Sequence, residues 1–221
     1  MDHCWAKLYC KRYNKPGCEQ FCEGYVVLQI LYKFSNIPQK YQYPTNLNIA
    51  GPDEKVYQEL LNIMSNDIVS WVNSGSSLLL WGERKGNGKT TMACAIANKY
   101  IREMASKTTL EPVVHFIKTA RFLEETRQQF NNPTPEWPER MKLIETVPLL
   151  IIDDIGAEKP SDWVRERLLN IIDERYSNNR SIIYTSNCTR QQMLDNLHDR
   201  IYDRIRDAKS FEFKGPSWRG V

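Results

Sequence analysis

The chain has 221 residues, 41% of them hydrophobic and 26% charged, and carries a formal net charge of +3. Those values describe one mid-sized soluble α/β domain with a small appendage. They exclude a membrane span, because no apolar run nears the ~20 residues a bilayer requires, and the charge is too small to establish a nucleic-acid partner. The opening Met1-Asp2-His3-Cys4-Trp5 lacks the basic and apolar regions of a secretory signal, so a cytoplasmic location is expected.

Four of the six cysteines, Cys4, Cys10, Cys18 and Cys22, fall within the first 22 residues. In a cytosolic chain such clustering points to a metal before a disulfide. Four thiolates enclose zinc tetrahedrally and stabilise a unit too small for a core of its own. An iron–sulfur cluster and free buried thiols are the alternatives. Trp5, Tyr9, Tyr13, Phe21 and Tyr25 would pack around such a centre, with His3 as a substitute ligand.

A helix is expected over residues 26–35, then an irregular connector to residue 52 that carries Pro44, Gly51 and Pro52. Gly51-Pro52-Asp53 opens a single helix with Val56, Leu60, Ile63, Met64, Ile68, Trp71 and Val72 on one face, closed by Asn73-Ser74-Gly75. From there strands and helices alternate. Strands are expected at 77–81, 113–117, 147–152, 181–185 and 211–213. Helices are expected at 89–104, at 120–130 behind a Thr119 cap, from a Ser161 cap to about 176, and near 197–206. A Pro-rich loop covers 131–138, and Thr189-Arg190-Gln191-Gln192 reads as a capping box. Apolar strands alternating with helices imply a parallel sheet covered on both faces.

The stretch Leu78-Leu79-Leu80-Trp81-Gly82 leads into Gly86-Asn87-Gly88-Lys89-Thr90-Thr91, a strand, a glycine-rich turn and a helix start. Glycines let successive N–H groups point at phosphate oxygens, and the helix N-terminus adds its positive end. In this P-loop Lys89 would reach the β- and γ-phosphates of ATP, and the Thr90 hydroxyl would ligate magnesium. The usual spacing places four residues between the first glycine and Gly-Lys-Thr; here five, residues 83–87, intervene.

The partner motif is the apolar run ending in Asp153-Asp154. Asp153 would hold magnesium, and Asp154 stands where a catalytic base would polarise the attacking water. Aspartate is one methylene shorter than the glutamate commoner there, so slow or neighbour-dependent hydrolysis is expected. A third strand ends in Thr185-Ser186-Asn187, where Asn187 or Thr185 would orient the water; ordinary strand termination is the competing reading. Arg200 and Arg204 share one face of a short helix, with Asp199, Asp203 and Asp207 interleaved as ion-pair partners. An arginine at a subunit border can stabilise transferred charge in the neighbouring protomer. His115 and His198 have no Cys or His at ligand spacing and are read as structural.

With these residues in place, residues 36–221 resemble helicase loaders of the DnaC/DnaI/IstB group of AAA+ ATPases. The resemblance rests on Asn36-Ile37-Pro38-Gln39-Lys40-Tyr41, the P-loop, Asp153-Asp154-Ile155-Gly156 and Thr185-Ser186-Asn187. It is reinforced by Asp199-Arg200-Ile201-Tyr202-Asp203-Arg204 and by Phe213-Lys214-Gly215-Pro216-Ser217-Trp218-Arg219. It implies a three-layer α/β/α core without a full C-terminal lid. It implies Asn187 as sensor, Arg204 as the arginine finger acting in trans with Arg200 as fallback, and Arg219 as the second sensor arginine. Ile37 and Tyr41 would lie near the adenine, and helices between Thr119 and Glu145 would form the extra element of initiators and loaders.

The implied organisation is a zinc-binding helicase-contacting unit at 1–36, a linker and adenine-proximal segment at 37–52, and an ATPase domain at 53–221. The short head resembles a phage or mobile-element version of the group. The implied function is delivery of a DnaB-type replicative helicase to single-stranded DNA by a self-associating, slow, magnesium-dependent ATPase. Lys118, Arg121 and Arg127 are candidate strand contacts, with solvated helix faces as the competing reading. A transposition helper of the same fold, a small-molecule P-loop kinase, and a nucleotide-binding zinc adaptor without turnover are the alternatives.

Overall fold

The computed structural model describes residues 13–16, 18, 22–42, 51–107, 110–157, 162–197 and 199–218. Its framework is a five-stranded sheet of β1 (Leu78–Trp81), β2 (Val114–Lys118), β3 (Leu149–Asp153), β4 (Ser181–Ser186) and β5 (Lys209–Glu212). The order is β2-β3-β4-β1-β5, and every pairing is parallel. Alternate residues of each strand face opposite layers. Leu78, Leu80, Val114, Phe116, Leu149, Ile151 and Ile183 enter one hydrophobic cluster, while Leu79, Leu150, Ile152, Ile182 and Tyr184 enter the other. Burial on both faces explains why β3 and β4 read as near-continuous apolar runs.

One layer consists of α1 (Glu23–Ser35), α2 (Glu54–Ser65), α3 (Ile68–Asn73) and α4 (Lys89–Ala105). The other consists of α5 (Thr119–Asn131), α6 (Trp137–Thr146), α7 (Asp162–Ser177), α8 (Arg190–Asn196) and α9 (Asp199–Arg206). Helix α1, assigned by sequence to the Cys-rich unit, packs on α4 and β2 and contributes Val27, Leu28, Leu31 and Tyr32 to the first cluster. It is pinned at its end. Asn36 adopts a left-handed conformation (φ 52°) and donates its amide to the Phe116 carbonyl at 2.8 Å. His115 is buried with Nδ1 2.9 Å from the Phe34 carbonyl, the structural role expected of it, and burial holds its pKa below the ordinary value. Among the described residues no helix is long and apolar enough to cross a membrane.

Several local expectations are corrected. The single helix over 53–72 is two, because the Asp67 carboxylate accepts from the N–H groups of Val69 and Ser70 and starts a new helix. Both helices still bury the predicted face, with Leu60, Ile68 and Val72 inward. The Pro-rich loop yields to α6, which Trp137 and Pro138 open, a place where proline is tolerated. Trp137 stacks on Phe122 with centroids 6.2 Å apart, giving α6 an anchor that periodicity does not reveal. Thr119 is not the cap of α5 but its first residue, and its hydroxyl donates to the Asp153 carbonyl at 2.8 Å. The capping box at Thr189 and Gln192 forms as expected.

At the edge of the sheet away from these motifs, Arg175 is 0% exposed. Its guanidinium donates to the carbonyls of Ile144, Val147, Pro148 and Ser181 at 2.7–3.1 Å, tying α6, β3 and β4 together. Carbonyl dipoles rather than a carboxylate compensate the charge, and burial pulls its pKa down to about 9. Arg175→Met is expected to lower unfolding stability by about 3 kcal/mol, since it strands several buried carbonyls. Urea denaturation followed by circular dichroism measures the loss.

Candidate functional site

Parallel pairing brings the carboxyl ends of the strands to one edge, with Trp81 opposite Ser186, Ile152 opposite Tyr184 and Lys118 opposite Asp153. Ligands of open parallel sheets bind outside such an edge. A cleft of about 1060 Å³ lies there, lined by residues 85–91 of the P-loop, by Asp153, Asp154, Thr185 and Asn187, and by Ile37 and Tyr41.

The P-loop joins β1 to α4. Gly88 is the N-cap of α4 with φ 97°, and a Cβ there would stand 2.5 Å from the Tyr57 hydroxyl, so the position requires glycine. Residues 83–85 of the lengthened loop are exposed, whereas Asn87 is buried. Lys89 is buried and donates to the Gly82 carbonyl at 2.8 Å, the Arg84 carbonyl at 2.9 Å and the Asn87 side-chain oxygen at 2.9 Å. The lysine is thereby held inside its own loop at the mouth of a helix whose first N–H groups face the cleft.

Asp153 is the meeting point of the strands. Its Oδ1 accepts from the Thr90 hydroxyl and from the Thr185 hydroxyl, each at 2.7 Å. The Thr185 hydroxyl in turn accepts from the Asp154 N–H at 3.0 Å. Asp154 is held at φ 62°, a left-handed conformation uncommon outside glycine that Asp and Asn adopt more readily than other residues. Asn187 donates its amide to Asp154 Oδ1 at 2.6 Å. The predicted sensor therefore grips the predicted base.

The donor set fits a magnesium–nucleotide complex. A hydroxyl and a carboxylate 2.7 Å apart are hard oxygen donors of the kind magnesium takes, and the glycine-rich turn with Lys89 supplies cation and N–H groups for phosphates. Ile37 and Tyr41, expected near the adenine, line the same cleft. Asn98 holds Tyr41, donating to its carbonyl at 2.6 Å while accepting from the Tyr32 hydroxyl at 3.1 Å. Lys118 and Arg121 also line this cleft, and Arg121 pairs with Glu125 at 2.9 Å.

Other predicted site residues lie elsewhere. Arg200 and Arg204 lie on α9 and are not among the residues that line the cleft; both pair with Asp173 of α7 at 3.1 Å rather than with the aspartates interleaved around them. The Arg204 guanidinium also sits 4.6 Å from the Tyr176 ring centroid. Arg219 lies outside the described residues, but Trp218 before it lines the cleft and donates its N–H to the Gly86 carbonyl at 2.9 Å. Cys18 and Cys22 are half-buried; Cys4 and Cys10 lie outside the described residues. Sequence reasoning missed Asn98, Tyr57 and Asp53, whose partners lie far along the chain.

The profile of one protein family, described as IstB-like ATP binding protein, matches residues 50–220. The replicative helicase loader DnaI of Bacillus subtilis (strain 168) is 33% identical over 51% of this chain and 33% of its own length. The replicative helicase loader DnaC of Escherichia coli (strain K12) is 26% identical over 65% of this chain and 53% of its own length. The chain thus spans between a third and about half of these relatives. A crystal structure of DnaI superimposes with a TM-score of 0.65 at 24% identity, covering 81% of this chain and 96% of that one, which supports the P-loop AAA+ fold.

The Thr185 bridge gives a direct test of the site. Thr185→Val removes a donor to Asp153 and an acceptor for the Asp154 N–H. It is expected to lower magnesium-dependent ATP turnover by about 10- to 100-fold, while nucleotide binding in EDTA stays near the unsubstituted value. Thr185→Ser should restore most of the turnover.

Proposed function

The chain belongs to the family of IstB-like ATP binding proteins, and from that premise we propose that it is a magnesium-dependent ATPase that loads a DnaB-type replicative helicase onto single-stranded DNA. The observation that carries this reading is the convergence of the Thr90 and Thr185 hydroxyls on one Asp153 carboxylate oxygen beside the glycine-rich turn. Similarity to relatives named replicative helicase loaders supports the choice of partner.

In the proposed mechanism Lys89 leaves its loop carbonyls for the β- and γ-phosphates, and Gly86, Asn87, Gly88 and Thr91 frame them. Thr90 and Asp153 would hold magnesium, which when bound would neutralise phosphate charge and polarise the γ-phosphoryl group. Asp154 orients the attacking water and accepts its proton, with Asn187 fixing the carboxylate. Ile37 and Tyr41 enclose the adenine. Arg204 reaches the γ-phosphate of a neighbouring subunit after exchanging Asp173 for it, and Arg219 serves as the second sensor arginine. Because Arg204 acts only on a neighbour's nucleotide, an isolated subunit hydrolyses ATP slowly.

Residues 1–36 form the helicase-contacting unit, with Cys4, Cys10, Cys18 and Cys22 as zinc ligands. Helix α1 links that unit to the ATPase core on which it packs, and residues 37–52 connect it to the domain at 53–221. Assembly in the cytoplasm into an open spiral would wrap single-stranded DNA.

Size-exclusion chromatography with a DnaB-type helicase tests the partner. Co-elution in ATP and magnesium is expected. Lys89→Ala should abolish nucleotide binding and any dependence of the complex on ATP. Separate elution with and without nucleotide would sink the loader assignment, and unchanged ATP affinity in Lys89→Ala would overturn the site.

A further inference from the structure

Asp53 is 4% exposed and stands at the N-cap of α2, yet it makes no side-chain cap to that helix. An aspartate at this position ordinarily accepts from the first N–H groups of its own helix. Here both oxygens turn to the C-terminal segment instead. Oδ1 accepts from the Lys214 N–H at 2.7 Å and Oδ2 from the Gly215 N–H at 2.8 Å. A Cβ at Gly215 would lie 2.6 Å from Oδ2, so the close approach depends on that glycine.

The segment so held, residues 213–218, runs across the P-loop and touches it repeatedly. The Phe213 carbonyl accepts from the Asn87 amide at 3.0 Å, and the Trp218 N–H donates to the Gly86 carbonyl at 2.9 Å. One turn beyond Asp53, Tyr57 meets the Phe213 ring edge-on at 5.6 Å and its hydroxyl donates to the Asn87 carbonyl at 3.4 Å. Burial and then the Asp53 charge push Tyr57 up to about 12, which keeps it a donor. The side-chain oxygen of Asn87 accepts from Lys89. A continuous path thus runs from Asp53 through the strap to Asn87 and on to the phosphate-binding lysine.

We propose that Asp53 is a positioning residue for nucleotide binding: it fixes the 213–218 strap against the P-loop and, through Asn87, sets Lys89 and the turn that carries one residue more than usual. A buried carboxylate directed to two N–H groups of the tail, not to its own helix and not to a cation among the described residues, is an arrangement that serves the tail's placement. The strap itself reaches the cleft, since Trp218 lines it. The proposal rests on the reading of this cleft as the nucleotide site.

A double-substitution cycle tests it, with a fluorescent ADP analogue titrated at a temperature well below unfolding. Asp53→Asn replaces one acceptor by a donor facing an N–H and is expected to weaken binding about tenfold. In an Asn87→Ala background, where the path to Lys89 is already cut, the same change should shift affinity less than about twofold. Gly215→Ala should reproduce the Asp53→Asn loss, and it keeps the proposal testable if Asp53→Asn does not fold. Unchanged affinity in the folded variants, or an equal loss in both backgrounds, would overturn the positioning role while leaving the nucleotide site intact. Failure of the unsubstituted chain to bind the analogue would instead remove the site and the proposal together.

Discussion

One carboxylate oxygen carries the geometry of this protein. Asp153 Oδ1 accepts hydroxyl hydrogens from Thr90 at the start of α4 and from Thr185 on β4, while the Asp153 carbonyl accepts from Thr119 at the start of α5. Three connections of the sheet therefore meet at the end of β3. Only parallel strands in the order observed place β3 beside β4 and β4 beside β1, so the hub exists because the ladder exists. The next residue shows what the hub tolerates. Asp154 is left-handed, a conformation that costs on the order of 1 kcal/mol, and bonds to Thr185 and Asn187 offset it.

Around that hub the P-loop is closed on itself. Lys89 bonds to carbonyls of its own loop, and Asn87 bridges the lysine to the chain's C-terminal segment. Nucleotide would exchange the Lys89 contacts to the Gly82 and Arg84 carbonyls for phosphate oxygens rather than build a site from disorder. The same logic applies to α9, where Arg200 and Arg204 share Asp173 as a resting partner. In the proposed assembly, stabilising charge on a neighbour's nucleotide means competing with that aspartate.

The phosphate site was legible because its parts are local. A glycine-rich turn between an apolar strand and a helix needs no distant partner to be recognised, and continuous runs such as residues 149–153 announce a doubly covered sheet. Boundaries were less so. The break between α2 and α3 depends on Asp67 preferring to start a helix over continuing one, and α6 depends on Trp137 finding Phe122 on another helix. What the sequence hid altogether were pairings across long separations. Arg204 was read against aspartates of its own helix, yet Asp173 lies on α7. Asp53 read as a helix opener, while its carboxylate serves residues at the far end of the chain. Periodicity and spacing report neighbours in sequence; these contacts are made by the fold.

In the proposed function the cleft is a nucleotide switch that an arginine from a second copy of the chain would complete. Mixing two substituted proteins tests it most directly. Lys89→Ala removes the phosphate grip within a subunit, and Arg204→Ala removes the contribution to its neighbour. Each alone should lack assembly-dependent ATP turnover, and an equimolar mixture with a DnaB-type helicase and single-stranded DNA should recover part of it, since some interfaces then pair an intact Lys89 with an intact Arg204. A mixture as inactive as its components, or full turnover by Arg204→Ala alone, would contradict the account.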